Sequence, residues 1–447
     1  ERAGMGRVLV ATRAFRAGEP LFAERPLAVV PGCARGARCG PPGPVMGRLE
    51  AEGRGQHVQL DMDVLCAWFA SRPPEELREL EALESHDSSD GYLAGRVSGE
   101  IAQLAADLGV LPDAARGAEL AHFLRVVCVN AHTVPRIRGI MLFYWLSMFS
   151  HSCAPNATYS TEQGGAEGRA GGFVAMPRAL RDLAVGEVVS MGYLSLQMLL
   201  ASTPARRDLL QVQKNFWCAC ERCRAGGVDF SRGLWCPACR QGAVYACTPA
   251  SGPAQDAVLR AAQLLGSRCD KCGHAVTTKE ADDLAALERR LQAVVEEYTQ
   301  LVETRGGQRP TIAQLKATED FIHRGFAQHV LADLAWEQMA ALHPLRADRC
   351  RLLRLRCDFY RDAYPGLHGA HAWALEALAD VLATEAAGGG GVAARLAAPS
   401  PEDAADARRL LEEALAILTP MFGGEHEYVT EVARKHAGLL DKGGGAA

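Results

Sequence analysis

The spacing of apolar and polar residues divides the chain into an N-terminal part with short strands and a C-terminal part with long helices. Residues 7–11 and 20–30 are short apolar runs bounded by glycine and proline, a pattern typical of strands. From Glu280 onward, apolar residues recur at helical spacing, beginning with Leu284 and Leu287. The pattern therefore predicts an α+β fold that ends in an all-α C-terminal region.

The region between these two parts alternates predicted helices with predicted core elements. Residues 57–83 and 92–128 have helical periodicity, interrupted by proline, and predict a helical insert that splits the strands. Residues 139–149 are rich in large apolar side chains and predict a buried core element. The glycine-rich residues 164–172 predict a hairpin, and residues 203–213 predict a charged helix.

The C-terminal region is predicted to consist of paired helices. Residues 352–382 and 403–418, the latter continuing into 427–440, are rich in Ala and Leu, and a glycine linker at 388–391 separates them. Stacked helix pairs bury faces that one pair cannot bury alone. A generic helical bundle is the alternative interpretation.

Composition limits the classes of protein to which the chain can belong. Its 447 residues predict two or three domains. The net charge of -5 disfavours direct nucleic-acid binding and is compatible with an acidic cleft for a basic peptide. No apolar run reaches the roughly 20 residues of a membrane span, and no secretion signal leads the chain. We therefore expect a soluble protein of the cytoplasm and/or nucleus, and Glu1 in place of Met indicates a trimmed start.

Cysteine spacing gives the strongest chemical signal in the chain. The total of fifteen is odd, which indicates reduced thiols rather than a disulfide framework. Cys218, Cys220 and Cys223 supply three ligands, whereas a structural zinc site has four. Cys153 is the best candidate for the fourth ligand and would pin its own turn, residues 149–159, against the later segment. A satisfied core turn is the alternative interpretation of this His-Ser-Cys sequence.

Two further Cys-x2-Cys pairs predict a zinc ribbon, because each pair places two thiolates on one tight turn. Their separation of 29 residues exceeds the usual ribbon spacing, so Cys247 and His274 remain alternative ligands, and free thiols are the alternative to a metal site. With the first site, the sequence predicts about two Zn²⁺ ions per chain. The predicted ribbon ligands are Cys236, Cys239, Cys269 and Cys272.

Three segments carry a resemblance to a known family. Residues 150–156, Ser-His-Ser-Cys-Ala-Pro-Asn, resemble the Asn-His-Ser-Cys-x-Pro-Asn signature of SET-domain lysine methyltransferases. Residues 186–187 and 191–193, Gly-Glu and then Met-Gly-Tyr, resemble the strand that carries the family's catalytic tyrosine. Residues 216–223 look like the post-SET zinc segment of the SMYD (SET and MYND) branch. The resemblance covers about half of the chain well and the rest more weakly.

The resemblance implies a domain organisation. A SET and post-SET domain would occupy residues 1–225, with a helical insert at 31–125 in place of the MYND finger. A zinc-ribbon module would follow at 226–280, and a helical domain similar to tetratricopeptide repeats at 281–447. A MYND finger needs around seven cysteines and a histidine, but the Gly/Pro/Arg-rich loop after Pro31 contains only Cys33 and Cys39, so the finger is absent or degenerate.

The resemblance also implies roles for individual residues. Tyr193 would be the catalytic residue that orients the substrate amine. The alternative interpretations are that Asn130 caps a helix, that Gly4 and Gly6 form a plain turn, and that Tyr193 is a packing residue. The implied binding residues for S-adenosylmethionine (SAM) are Gly4, Gly6, Asn130, Ser150, His151, Tyr193 and Phe216.

The implied function is SAM-dependent methyl transfer to lysine in histone or non-histone proteins. This reaction needs a neutral amine aligned with the methyl group in a dry channel. Two positions depart from the family pattern: Ser150 replaces an Asn, and His132 replaces a Phe of the lysine channel. They motivate the alternative of a catalytically weakened scaffold that binds protein partners through its helical tail, for example in transcriptional repression. A zinc-dependent nucleic-acid binder is a third hypothesis, which the net charge disfavours.

Overall fold

The computed structural model describes residues 7–34, 41–54, 60–83, 96–163, 172–224, 227–247, 257–304, 307–384 and 400–443. It is a mixed α+β structure with small sheets and a helical C-terminal region, as the apolar pattern predicts. The strands are β1 (Leu9–Val10), β2 (Ala28–Val30), β3 (His132–Val134), β4 (Gly139–Leu142), β5 (Ser150–His151), β6 (Ala157–Gln163), β7 (Phe173–Ala179), β8 (Val188–Met191), β9 (Val228–Trp235), β10 (Ala243–Cys247) and β11 (Phe326–His329).

The helices fall into an N-terminal and a C-terminal group. The first group is α1 (Pro44–Ala51), α2 (Met62–Ala70), α3 (Pro74–Leu77), α4 (Arg96–Asp107), α5 (Gly117–Asn130), α6 (Leu196–Leu199), α7 (Thr203–Lys214) and α8 (Ala257–Leu264). The second group is α9 (Thr278–Thr304), α10 (Ile312–Gly325), α11 (Val330–Leu342), α12 (Arg346–Ala363), α13 (Gly369–Ala383), α14 (Pro401–Phe422) and α15 (Glu427–Gly443). No described helix is long and apolar enough to span a membrane.

Three small sheets surround the segment around residue 150. Strand β8 lies between β1, which is antiparallel to it, and β5, which is parallel to it with Ser150 opposite Ser190. The second sheet has the order β2-β4-β3, and β6 pairs with β7 on either side of the predicted glycine-rich hairpin, whose residues 164–171 lie outside the described ranges. Two distant chain segments therefore meet where β5 and β8 run side by side.

A buried carboxylate fixes the turn that leads into β5. Glu24 accepts backbone N–H groups from Tyr144 at 2.7 Å, Trp145 at 2.7 Å and Leu146 at 2.9 Å. These donors follow the end of β4 and need partners because they are largely removed from water. One side chain thus replaces the missing backbone pairing and sets the course of the chain toward Phe149.

The predicted helical insert forms its own apolar core against β2 and β4. Leu49, Leu65 and Leu120 are fully buried in it. Cys33 belongs to the same core, where its thiol donates to the carbonyl oxygen of Val30 and burial raises its pKa to about 11. Cys33 is therefore a packed thiol, and Cys39 lies outside the described residues.

The prediction that every element after Glu280 is helical is wrong at β11. This strand pairs antiparallel with β9, with Phe326 opposite Leu234 and His329 opposite Arg232. Its four residues follow directly from α10 and lead directly into α11. The free edge of β9, which comes from the zinc-ribbon region, supplies the pairing partner, so tertiary context decides this element.

A buried ion pair joins β9, β11 and α9. The guanidinium of Arg232 donates from Nε and Nη2 to the two carboxylate oxygens of Glu288, both at 2.6 Å, and His329 Nε2 lies 2.9 Å from the same carboxylate. Burial raises the pKa of Glu288, but the hydrogen bonds from Arg232 and His329 outweigh it and lower the pKa to about 2.

We expect Glu288→Ala to lower the free energy of unfolding by about 3–5 kcal/mol, because Arg232 is left buried without its carboxylate. Because the folded pKa lies below the ordinary value of 4.5, the contribution of Glu288 is present above pH 4.5 and is lost as pH falls toward 2. Urea unfolding at pH 7 and pH 3 measures both effects. Glu297→Ala, an exposed position on the same helix, should change stability by less than about 0.5 kcal/mol, and equal midpoints for the two variants would contradict the assignment.

Candidate functional site

The first cysteine group joins the β5 turn to the segment after α7. The Sγ atoms of Cys153, Cys218, Cys220 and Cys223 all lie within 4.8 Å of one another. Cys153 Sγ is 4.0 Å from that of Cys218 and 3.5 Å from that of Cys223. A tetrahedral zinc ion with Zn–S bonds of about 2.3 Å places its sulfurs about 3.8 Å apart. The group could therefore hold a zinc ion, and it includes the distant cysteine that the ligand count predicts.

Three arginines surround this group, and sequence reasoning missed them. Arg206 Nη2 lies 3.4 Å from the Sγ atom of Cys223, and Arg207 Nη2 donates to the carbonyl oxygen of the same residue at 2.5 Å. Arg222 Nη1 donates to the carbonyl oxygen of Cys153 at 3.1 Å. Four thiolates around a Zn²⁺ ion carry a net charge of about -2, so these cations balance the buried charge of an occupied site.

The second cysteine group lies between the β9–β10 turn and the turn before α9. Cys236 Sγ is 3.8 Å from Cys272 Sγ, and Cys239 Sγ is 3.7 Å from Cys269 Sγ. The four atoms lie within 4.8 Å of one another and could hold a second zinc ion. The structure thus fits the prediction of about two zinc ions per chain.

The two alternative ligands of the ribbon have other partners. His274 Nε2 lies 3.0 Å from a carboxylate oxygen of Glu280, which also accepts the backbone N–H of Thr277. Cys247 Sγ lies 3.7 Å from the hydroxyl of Ser267. The long insertion between the two pairs therefore does not change the ligand set, because β10 and α8 return the chain to the same turn.

We expect a chelator to remove the two zinc ions at different rates. Cys272 is exposed, whereas Cys153, Cys218 and Cys223 are buried behind the three arginines. A chelator can reach a zinc ion beside an exposed ligand without local unfolding, so release should be biphasic, with the ribbon ion leaving first. Absorbance of a zinc-sensitive dye follows the release, and a changed rate of only the fast phase in Cys272→His assigns that phase to the ribbon. A single phase containing both ions would contradict this order.

The side chain of Tyr193 lies directly after β8 and beside the first cysteine group. Its hydroxyl donates to the carbonyl oxygen of Phe149. The centroid of the Tyr193 ring is 5.2 Å from that of His151 and 6.2 Å from that of Phe216. The planes of the Tyr193 and Phe216 rings are nearly perpendicular. Burial raises the pKa of Tyr193 to about 12, so the phenol stays neutral at physiological pH. The structure thus brings three predicted site residues from three segments into one aromatic cluster.

His151 connects Tyr193 to the cysteine group. Its Nδ1 accepts the backbone N–H of Tyr193 at 3.0 Å, and its Nε2 lies 3.3 Å from Cys153 Sγ. Burial lowers the pKa of His151 to about 4, so the ring is neutral, and the hydrogen bonds assign its proton to Nε2. The imidazole therefore links a predicted metal ligand to the backbone that carries the predicted catalytic residue.

Asn156 is a buried positioning residue to which the sequence motif assigns no role. Its Oδ1 accepts the backbone N–H of Ser190 at 2.8 Å. Its Nδ2 donates to the carbonyl oxygen of Val188 at 2.9 Å and lies 3.2 Å from Glu187. The side chain in this way bonds two backbone groups of β8 that lie two residues apart, and it fixes the turn against this strand. A Pro-Asn pair in a turn is the signal that could have indicated this.

The other predicted cofactor residues have different surroundings. Asn130 is buried at the end of α5, where its Nδ2 donates to the carbonyl oxygen of Val126 at 2.9 Å. The hydroxyl of Ser150 is buried and has no hydrogen-bond partner among the described residues. Gly4 and Gly6 lie outside the described ranges.

His132, one of the two departures from the family pattern, lies beside this cluster as a neutral ring. Its Nδ1 lies 2.9 Å from the hydroxyl of Tyr159, and its ring contacts Phe143 edge-on at 5.6 Å. Burial, together with the nearby Lys214 ammonium, lowers the pKa of His132 to about 3. The imidazole therefore adds a polar group beside Phe143 and Tyr159 but no positive charge.

Sequence reasoning also missed Lys214, the last residue of α7. Its Nζ donates to the carbonyl oxygen of Val129 at 2.6 Å and lies 5.8 Å from the centroid of the Tyr193 ring. Burial lowers the pKa of Lys214. A lysine in a chain whose basic residues are almost all arginine was the only signal available.

Comparison with known proteins adds no assignment to this geometry. No protein-family model matches the chain, and the search of curated proteins finds no match. The interpretation of the site therefore depends on its residues and their chemistry.

Proposed function

We propose that the protein is a SAM-dependent protein-lysine methyltransferase of the SET type, similar to the SMYD branch. The observation that carries the proposal is the cluster of Tyr193, His151 and Phe216 beside the first cysteine group. These side chains come from the three segments that resemble the family. The parallel pairing of β5 with β8 supports the proposal, because it places the His-Ser-Cys turn beside the tyrosine.

The residues of the cluster fit a bound SAM molecule. The buried hydroxyl of Ser150 lacks a partner among the described residues, and a ligand hydroxyl or amine could supply one. The half-buried Phe216 ring offers a face on which an adenine can stack. Ser150 stands where the family signature has an Asn. The missing amide hydrogen bond would weaken SAM binding by about 1 kcal/mol without abolishing it. When bound, SAM supplies an electrophilic methyl group on a sulfonium.

The chain's own residues would orient and desolvate the acceptor lysine. Because the Tyr193 hydroxyl donates its hydrogen to Phe149, its oxygen lone pairs remain available to accept an N–H from the substrate amine. The neutral phenol and the apolar ring of Phe216 keep water out, which favours the uncharged amine. Zinc at the first cysteine group would hold Cys153 and, through His151, the Tyr193 backbone.

Two measurements test the proposal. In isothermal titration calorimetry, SAM and S-adenosylhomocysteine should bind with dissociation constants of about tens of micromolar or tighter. Labelled SAM should then transfer its methyl group to lysine in histones or in a cytoplasmic or nuclear extract. An absence of both binding and transfer would contradict the proposal.

A scaffold without methyl transfer is the second candidate, favoured by direct contacts between the helical tail and the site. His368 Nε2 donates to the carbonyl oxygen of Leu196, three residues after Tyr193, at 2.9 Å. The guanidinium of Arg222 lies 5.2 Å from the centroid of the Tyr364 ring. A partner held by the tail would then communicate with the cysteine group, and a folded, zinc-loaded protein that binds no SAM would favour this candidate.

A further inference from the structure

Lys214 places a positive charge in the proposed cofactor site. It ends α7, and its ammonium contacts the end of α5 through the carbonyl oxygen of Val129 at 2.6 Å. The same ammonium lies 5.8 Å from the centroid of the Tyr193 ring, within the range of a cation–π interaction. No carboxylate among the described residues forms an ion pair with it.

The titratable side chains around this ammonium are neutral. Burial raises the pKa of the Cys128 thiol to about 11 and that of Tyr193 to about 12, and it lowers that of His132 to about 3. The carbonyl ends of α5 and α7 and the face of the Tyr193 ring stabilise the charge, but each of these effects is small compared with that of an anionic partner. A cation partly withdrawn from water without an anionic partner is unfavourable, so this position favours an anion supplied by a ligand.

We infer that Lys214 binds the carboxylate of the methyl donor's amino-acid end. The inference rests on the proposed function. SAM carries two cationic groups, the α-ammonium and the sulfonium, which the Lys214 ammonium repels, and one anionic group, the carboxylate, which it attracts. The carboxylate would therefore lie at the junction of α5 and α7, and the sulfonium would be directed away from it. Lys214 thus fixes the orientation of the donor as well as its affinity.

Two ligands separate this role from a purely structural one. S-adenosylhomocysteine retains the carboxylate, whereas 5′-methylthioadenosine has the same nucleoside and sulfur but lacks the amino-acid end. In calorimetric titrations of the full zinc-loaded chain, Lys214→Gln should lower the affinity for S-adenosylhomocysteine by about 10- to 100-fold, the range of a charged hydrogen bond. It should leave the affinity for 5′-methylthioadenosine unchanged. Lys214→Arg should keep most of the affinity, and Lys279→Gln, at an exposed lysine of α9, should bind both ligands like the wild type.

Each other outcome has one meaning. If Lys214→Gln weakens both ligands equally, Lys214 only caps α5, and the inference is wrong while the proposed function stands. If Lys214→Gln binds S-adenosylhomocysteine like the wild type, the inference is also wrong. If the wild type binds neither ligand, the proposed function itself fails. Thermal unfolding of each variant with its zinc content confirms that the titrated protein is folded.

Discussion

Tyr193→Phe is expected to reduce methyl transfer to a lysine substrate by about 10²- to 10⁴-fold, the range typical of a positioned polar group in catalysis. The substitution removes the hydroxyl that bonds Phe149 and that would accept the substrate amine. It keeps the ring that packs against His151 and Phe216, so the protein should fold and retain both zinc ions. Initial rates with labelled SAM, at saturating donor, measure the loss.

Tyr245→Phe is the matched control for this result. The Tyr245 hydroxyl belongs to the ribbon region and lies 3.4 Å from Oε1 of Gln328. This variant therefore deletes the same phenol oxygen at a position away from the proposed site. Its transfer rate should equal that of the wild type. If Tyr193→Phe transfers label as fast as Tyr245→Phe, the phenol does not take part in the reaction, and the proposed function loses its catalytic residue.

Cys223→Ser is expected to remove one of the two zinc ions and to unfold the region around Tyr193. Cys223 is fully buried, and its sulfur contacts both Cys153 and Arg206. A structural zinc site contributes about 10–16 kcal/mol of binding free energy, which exceeds or matches the total stability of a typical domain. The variant would also remove the thiolate that Arg206 contacts and leave this guanidinium with Asp229 as its buried anionic partner. Metal analysis and near-ultraviolet circular dichroism measure the two losses.

Two further cysteine variants define what this result means. Cys239→Ser should also lose one zinc ion but should keep S-adenosylhomocysteine binding, because its group lies in the ribbon and does not contact His151. Cys33→Ser changes a buried thiol that belongs to neither group, so its zinc content should stay at the wild-type level. Retention of the full zinc content by Cys223→Ser would show that the first group is not a metal site.

The part of the site that depends on covalent spacing could be predicted from the sequence. Thiols with two residues between them lie on one turn whatever the rest of the chain does, so the ribbon pairs were visible directly. Cys153 followed from counting ligands, since three thiolates require a fourth. The paired helices of the tail followed from apolar periodicity, which one element carries by itself.

The contacts between distant segments could not be predicted in this way. Lys214 and Arg206 are ordinary basic residues of a helix until α7 packs beside α5 and the cysteine group. Glu24 acts on a turn about 120 residues away, and only the folded chain shows that its carboxylate replaces backbone pairing. Strand β11 was missed because its partner, β9, lies outside its own sequence neighbourhood.

The amino-acid sequence by itself determined the mixed architecture, the largely helical tail and the closely spaced cysteines of both groups, because periodicity and ligand spacing are local properties; which distant thiols complete each group was decided by the tertiary structure. Only the tertiary structure decided that His151 joins Cys153 to the Tyr193 backbone, that His132 is neutral, and that the Lys214 ammonium has no anionic partner among the described residues. The physical reason is that hydrogen bonding, burial and charge balance depend on which groups come together in space. Distance along the chain does not encode that proximity.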